Sequence, residues 1–266
     1  MERKLTYNRI VIKIGTNVLT LNTDSISEDV LSDIVRQVTQ LHTEGKEIIL
    51  VSSGAVASGR QLLTQLKDKK DTATRQVMAA VGQPVLMRLY AELFNKEGIV
   101  IAQALLSKLD LTNKISSINT RNTLMTLLEI GVITIINGND VVTTEELDGD
   151  HFGDNDNLSG MVADIVDADL LMIISDVDGL YTADPNLDET AKLIPVVKEI
   201  NENIEKMANG TNGRGTGGMI TKIQAAKLAT SSDITVVIAN GNEHNLLLRL
   251  ANGESIGTTF LPNTKE

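Results

Sequence analysis

Lys13 stands where a lysine is costly. It interrupts the apolar run Ile10–Ile14, which is followed at once by Gly15, Thr16 and Asn17. An ammonium inside a buried strand must reach an anion or pay for its desolvation. A glycine and a threonine at the strand end let an anionic group approach the backbone. A lysine on an edge strand, or one that snorkels to water, is the plainer alternative. Lys222 closes the stretch Gly213-Arg214-Gly215-Thr216-Gly217-Gly218-Met219-Ile220-Thr221-Lys222. Glycines that lead directly into a helix carrying a lysine in its first turn form a phosphate cradle, with N–H groups and a cation converging on one anion. A flexible loop is the competing reading. Gly213, Gly215 and Gly218 satisfy Gly-x-Gly-x-x-Gly literally. The dinucleotide reading fails on context, because a helical segment precedes these glycines and Asp233 comes before its strand. Gly-Lys-Ser/Thr occurs nowhere, so there is no Walker motif.

Short polar side chains collect at the other strand ends. One run is Ile136-Asn137-Gly138-Asn139-Asp140, and another is Gly153-Asp154-Asn155-Asp156-Asn157-Leu158-Ser159. Asn and Asp serve turns and helix caps, but four in succession exceed what capping requires. Their other use is to hold an amino acid's ammonium and to orient cations near phosphates. A calcium loop fails, since its glycine and its bidentate glutamate are not at the required positions. Ser52-Ser53-Gly54-Ala55 opens a helix with small residues, which suits either an anion at unpaired N–H groups or tight helix–sheet packing. Ser175-Asp176 ends a strand before the turn signals Asp178-Gly179 and Asp184-Pro185.

The elements that must position these residues alternate regularly. Continuous Val, Ile and Leu runs predict strands over Ile10–Ile14, Ile48–Val51, Ile99–Ala102, Val132–Ile136, Leu170–Ile174 and Ile234–Ala239, each buried on both faces. Ser27 can cap a helix whose Val30, Leu31, Ile34, Val35, Val38 and Leu41 recur at helical spacing, with Gly45 as its stop. A second helix is expected from Met219 to about Ala229. Strands separated by such helices imply right-handed crossovers. The fold expected is α/β, a three-layer αβα sandwich with a mainly parallel central sheet, in which ligands bind beyond the carboxyl ends of the strands. The polar stretch Asn201–Gly218 reads as a hinge between lobes.

Composition narrows the function. The chain has 266 residues, 24 Lys+Arg against 35 Asp+Glu, and a net charge of -11, a poor match to nucleic-acid phosphates. Aromatics at 2% remove base-stacking platforms. The absence of cysteine excludes disulfides, thiolate metal sites and a thiol nucleophile. His42, His151 and His244 are scattered and form no metal cage. Neither a leader with an apolar h-region nor an apolar run of about 20 residues is present, so a cytoplasmic protein without a membrane segment is expected.

Together these segments resemble the amino-acid kinase family, from about Ile10 to about Gly257. The specific motifs are Lys13-Ile14-Gly15-Thr16, Ser53-Gly54-Ala55, Gly153-Asp154-Asn155-Asp156-Asn157-Leu158-Ser159, Asp178-Gly179-Leu180-Tyr181-Thr182-Ala183-Asp184-Pro185 and Gly215-Thr216-Gly217-Gly218-Met219 leading to Thr221-Lys222. Asp-Asn-Asp-Asn with the Thr-Gly-Gly-Met loop is similar to the members that act on glutamate rather than on carbamate, uridylate or acetylglutamate. The resemblance implies ATP-dependent phosphorylation of the side-chain carboxylate of L-glutamate, the first step of proline synthesis, with Mg²⁺ accompanying ATP. It implies that Lys13 and Lys222 contact the phosphates and that Asp156 holds the lysines in place. Ser53, Asp140 and Asn155 would bind glutamate. Gly15, Thr16, Ser175 and Asp176 would lie at the nucleotide, with Thr216, Gly217, Gly218, Met219, Ile220, Thr221 and Lys222 as its glycine loop. No protein metal ligand is assigned.

The resemblance further implies an amino-acid lobe over about residues 1–165 and a nucleotide lobe over about 166–266, a homodimer or homotetramer, and a functional link to the reductase of the next step. Many relatives carry an additional C-terminal domain resembling RNA-modification modules, and only the kinase domain is expected within these 266 residues. One departure stands out: the usual Asn-Glu-Asn-Asp reads Asn137-Gly138-Asn139-Asp140, which removes a carboxylate beside the glutamate site. The alternatives are a sister kinase acting on another carboxylate or carbamate, and a catalytically silent nucleotide sensor.

Overall fold

The computed structural model describes residues 7–66, 68–69, 71–142, 155–209 and 218–263. Among them eight strands form one sheet: β1 (Arg9–Ile14), β2 (Glu47–Ser52), β3 (Ile101–Leu106), β4 (Ile133–Gly138), β5 (Leu170–Ser175), β6 (Val196–Val197), β7 (Thr235–Asn240) and β8 (Thr258–Phe260). Their order is β3-β4-β2-β1-β5-β7-β8-β6, with only the β7–β8 pair antiparallel. The helices are α1 (Thr16–Thr20), α2 (Glu28–Thr43), α3 (Ala55–Leu62), α4 (Thr72–Lys96), α5 (Lys108–Thr112), α6 (Lys114–Glu129), α7 (Asn155–Ile165), α8 (Glu202–Asn209), α9 (Met219–Thr230) and α10 (Leu246–Ala251).

Strand alternation sorts the core into two layers. Ile10, Ile12 and Ile14 of β1 face one way, into a cluster with α1, α2, α4 and α10. Val11 faces the other way, into a cluster with α6, α7 and α9. The period of two therefore sends Lys13 to the side of α7 and α9, away from Ile14. The αβα sandwich with a mainly parallel sheet is as expected. Ser27 caps α2, its hydroxyl accepting from the Val30 N–H, and Gly45 follows the helix end with φ +86°.

Two expectations need correction, and two further strands lie outside the six apolar runs. The strand expected over Ile99–Ala102 begins at Ile101, runs to Leu106 and is only partly buried, because it is an edge strand of the sheet. Strands β6 and β8 lack long apolar runs and are too short to be read from composition. The polar stretch from Asn201 is not a linker as far as Asn209. It forms α8, whose Ile204, Met207 and Ala208 join the core beside α9.

The small residues after β2 have a packing role. A Cβ on Gly59 would lie 1.9 Å from the Met78 carbonyl oxygen, and one on Gly82 would lie 1.9 Å from that of Ala55. Helices α3 and α4 thus cross backbone to backbone, and this fixes α4 against the start of α3. Overpacking costs about 1–3 kcal/mol, and each kcal/mol shifts Tm by roughly 2–4 °C in a chain of this size. Gly82→Ala therefore lowers the Tm by several degrees in thermal unfolding. An unchanged Tm would show that the two backbones do not touch.

Candidate active site

The sheet ends β1, β2, β4 and β5 converge on the first turn of α7, whose Asp156 is fully buried. Lys13 Nζ lies 2.5 Å from Asp156 Oδ1, and Lys222 Nζ from α9 lies 3.0 Å from Oδ2. The Thr221 hydroxyl sits 2.8 Å from that same Oδ2. Lys13 and Lys222 are themselves 4% and 5% exposed, so both ammonium groups are held out of bulk water. Burial opposes ionisation of Asp156, but the two ammonium groups outweigh it and hold its carboxyl well below the ordinary carboxylate range. Two ammonium groups thus flank one carboxylate in a poorly solvated spot, where electrostatic attraction is strong. That arrangement can receive a phosphate. It also answers the question raised by Lys13: the strand lysine is neither at an edge nor snorkelling, but paired.

A second network runs between the ends of β2 and β4. Asn155, the neighbour of Asp156, directs its Nδ2 to Asn137 Oδ1 at 2.9 Å, Ser53 Oγ at 3.1 Å and the Ser52 carbonyl at 3.3 Å. The Gly138 N–H donates to Asn137 Oδ1 at 2.9 Å and approaches Asn155 Oδ1 at 3.3 Å. A Cβ on Gly138 would lie 3.3 Å from Asp140 Oδ1 and 3.6 Å from Asn155 Oδ1. One carboxyl and one amide oxygen therefore lie close to one point beside Gly138, a chemistry suited to an ammonium. Ser53, Asp140 and Asn155 are brought together as a group, adjacent to the lysine cluster through α7.

On the other side of Lys13, the Gly15 N–H donates to the Ile174 carbonyl at 3.0 Å. Thr16 is exposed, and Asn17 Nδ2 donates to Asp176 Oδ2 at 2.7 Å, with the Ser175 hydroxyl 3.1 Å from Asp176 Oδ1. Gly15, Thr16, Ser175 and Asp176 thus lie together at the β1 and β5 ends. Gly218 caps α9 without any side-chain hydrogen bond, and Met219 and Ile220 follow in its first turn. Thr216 and Gly217 lie outside the described residues. Tyr181 donates its hydroxyl to Asp178 at 2.8 Å.

Support from α4 was not foreseen. Gln83 Oε1 accepts from Asn137 Nδ2 at 2.8 Å, and the Tyr90 hydroxyl lies 2.9 Å from Ser52 Oγ. These residues are seven apart, so two helical turns place them on one face. Burial pushes the Tyr90 phenol up to about 12, so it stays protonated and able to hydrogen bond. The only available signal was a glutamine between Gly82 and Pro84 in an otherwise apolar stretch.

The buried carboxyl makes a signed prediction. The unfolded carboxyl titrates near about 3.9 and the folded one lower. The stability that Asp156 contributes is therefore complete above that pH and lost as the pH falls through the folded value. Asp156→Asn strands two buried cations and costs about 3–5 kcal/mol at neutral pH. Its deficit relative to the unsubstituted protein narrows below about pH 4. Urea unfolding on both sides of that pH measures this, and a deficit independent of pH would contradict it.

Comparison with known proteins agrees with this geometry. The model of the amino acid kinase family matches residues 8–240. A glutamate 5-kinase of Dehalococcoides mccartyi is 50% identical over 258 residues, which is 97% of this chain and 69% of that protein. One from Clostridium acetobutylicum is 42% identical over 97% of this chain and 96% of its own length. Among solved structures, a UMP kinase from Bacillus anthracis superposes with a TM-score of 0.66 at 16% identity, covering 98% of each chain, a likeness of fold. Lysines on a buried carboxylate, a polar cluster beside them and a family match over most of its length make this chain a member of the amino acid kinase family.

Proposed function

We propose that the chain transfers the γ-phosphoryl group of ATP to the side-chain carboxylate of L-glutamate, forming an acyl phosphate and ADP. The observation that carries the reading is the adjacency of two clusters at the start of α7. Asp156 gathers two ammonium groups on one side, and Asn155 joins Ser53 and the Asn137–Gly138 strand end on the other. The curated relatives support glutamate as the acceptor, and the Clostridium protein does so at nearly equal length.

In this reading Ser53, Asp140 and Asn155 bind glutamate, with the Asp140 and Asn155 oxygens facing its ammonium. A side-chain carboxyl with a pKa of about 4.3 is already ionised at neutral pH, so no general base is required. A carboxylate oxygen forms the new bond to phosphorus as the bond to the bridging oxygen of ADP breaks. Lys13 and Lys222 stabilise charge on the transferring group. Asp156 keeps both lysines oriented and separated. Gly15, Thr16, Ser175, Asp176 and the segment Thr216–Lys222 line the nucleotide side. Among the described residues no group of three or more His, Cys, Asp or Glu could hold a metal ion. Mg²⁺ held by the nucleotide's own phosphates would fit beside this cluster and would neutralise phosphate charge.

The halves of the sheet suggest a division of labour. The side formed by β3, β4, β2 and β1 (about residues 1–165) would carry glutamate, and the side from β5 onward (about 166–266) the nucleotide. The edge strand β3 has exposed apolar neighbours in Val100, Leu105 and Leu109, which supports assembly into a homodimer or homotetramer. No described helix is long and apolar enough to cross a membrane. Dependence on ATP fits a cytoplasmic enzyme, and an unstable acyl phosphate fits a functional link to a downstream reductase.

The test is an ATP-consumption assay with glutamate, N-acetylglutamate, aspartate and carbamate, with hydroxylamine trapping the acyl phosphate. Hydroxamate is expected with glutamate alone. Mg·ATP binding without turnover on any of the four would support the silent sensor instead. Lys222→Ala lowers turnover by about a hundredfold or more with the fold intact by circular dichroism. Near-normal turnover would remove its assigned role.

A further inference from the structure

We infer that Gln83, on the long helix α4, is a positioning residue for the amino-acid substrate: its side-chain oxygen anchors the outer end of the Asn137–Asn155 amide chain. The inference rests on the assignment of Asn155 to the glutamate side of the site. Three amides are linked in series. Gln83 Oε1 accepts from Asn137 Nδ2, Asn137 Oδ1 accepts from Asn155 Nδ2, and Asn155 Oδ1 accepts from the Gly138 N–H, on the side where Asp140 Oδ1 also lies. Each amide has a donor end and an acceptor end. The Gly138 N–H on both asparagine oxygens and the Ser52 carbonyl under Asn155 Nδ2 set the polarity of the chain, and the Gln83 oxygen supplies the acceptor for its outer end at Asn137 Nδ2. Gln83 is only 8% exposed, and its Nε2 has no hydrogen-bond partner among the described residues. Only its acceptor half is used.

The helix is held in place for this task. The Gly59 and Gly82 crossing brings the α3 and α4 backbones into contact one residue before Gln83, and Tyr90 pins the next turns to Ser52. A chain contribution from 54 residues upstream of Asn137 thus reaches the strand end from the helix layer. Without the Gln83 oxygen, a buried Asn137 Nδ2 has no acceptor, a costly state that Asn137 relieves by rotating. Asn155 Nδ2 then loses the shortest of its three contacts and keeps Ser53 Oγ and the Ser52 carbonyl, so its amide shifts and its oxygen moves relative to the substrate ammonium. The lysine cluster on the opposite side of α7 is untouched.

The test compares Gln83→Met, which keeps length but removes the acceptor, with Gln83→Glu, which keeps the acceptor and removes the unused donor. Steady-state kinetics in both substrates are read beside the Tm. Gln83→Met is expected to raise KM for glutamate about tenfold or more, the scale of one lost buried hydrogen bond. KM for ATP and kcat should change little, and Gln83→Glu should restore KM toward that of the unsubstituted enzyme. A Gln83→Met enzyme with unaltered KM for glutamate overturns the inference, as does an equal rise for both substrates. So does a Gln83→Glu enzyme as impaired as Gln83→Met. An unsubstituted enzyme that does not turn over glutamate overturns the acceptor assignment itself, and this inference with it. Turnover by that enzyme with no effect of Gln83→Met overturns the inference alone.

Discussion

One buried carboxylate organises the active end of this protein. Asp156 is inaccessible to water, and its charge is balanced by Lys13 and Lys222 on its two oxygens, with the Thr221 hydroxyl donating to one of them. The dependence is mutual, since neither ammonium would be stable at that depth without the anion. Three separate elements must therefore meet: a central strand, the start of α7 and the start of α9. The sheet order places β1 at the centre between β2 and β5, so Lys13 reaches the junction of the two halves. The glycine crossing of α3 and α4 serves the same end from the opposite layer, by holding the supports beneath β2 and β4.

This arrangement reconciles an acidic chain with an anionic substrate. A net charge of -11 repels phosphate at a distance. Within a Debye length of about 8–10 Å, the two ammonium groups of the cluster govern the interaction, and backbone N–H groups add to it. The same residue pair divides the chemistry. Asn155 belongs to the polar network at β2 and β4, and Asp156 belongs to the lysines, so in the proposed reaction consecutive positions would join the acceptor side to the phosphate side.

Much of the site was legible because its chemistry is unusual for its setting. A lysine in an apolar strand, four consecutive Asx residues and glycines before a lysine-bearing helix each violate what packing alone would choose. The central strands were equally legible, since burial on both faces demands continuous apolar runs. The rest depends on tertiary contacts that leave no local trace. Gln83 lies within a helix whose apolar residues are spread around it, and only its neighbour Asn137 reveals its use. Gly59 and Gly82 look like weak helix formers until the backbone contact is seen. Strand β3 has the composition of a buried strand but lies at an edge, which local composition does not encode.

In the proposed reaction Asp156 would act by orienting both lysines toward the transferring phosphoryl group. Single-turnover phosphoryl transfer from ATP to glutamate, followed by hydroxamate formation in folded Asp156→Asn, measures this most directly. The account predicts a rate lower by about a hundredfold or more, because both ammonium groups lose the anion that aims them. A rate equal to that of the unsubstituted enzyme would contradict it, and would mean that the lysines reach the phosphate without the buried carboxylate.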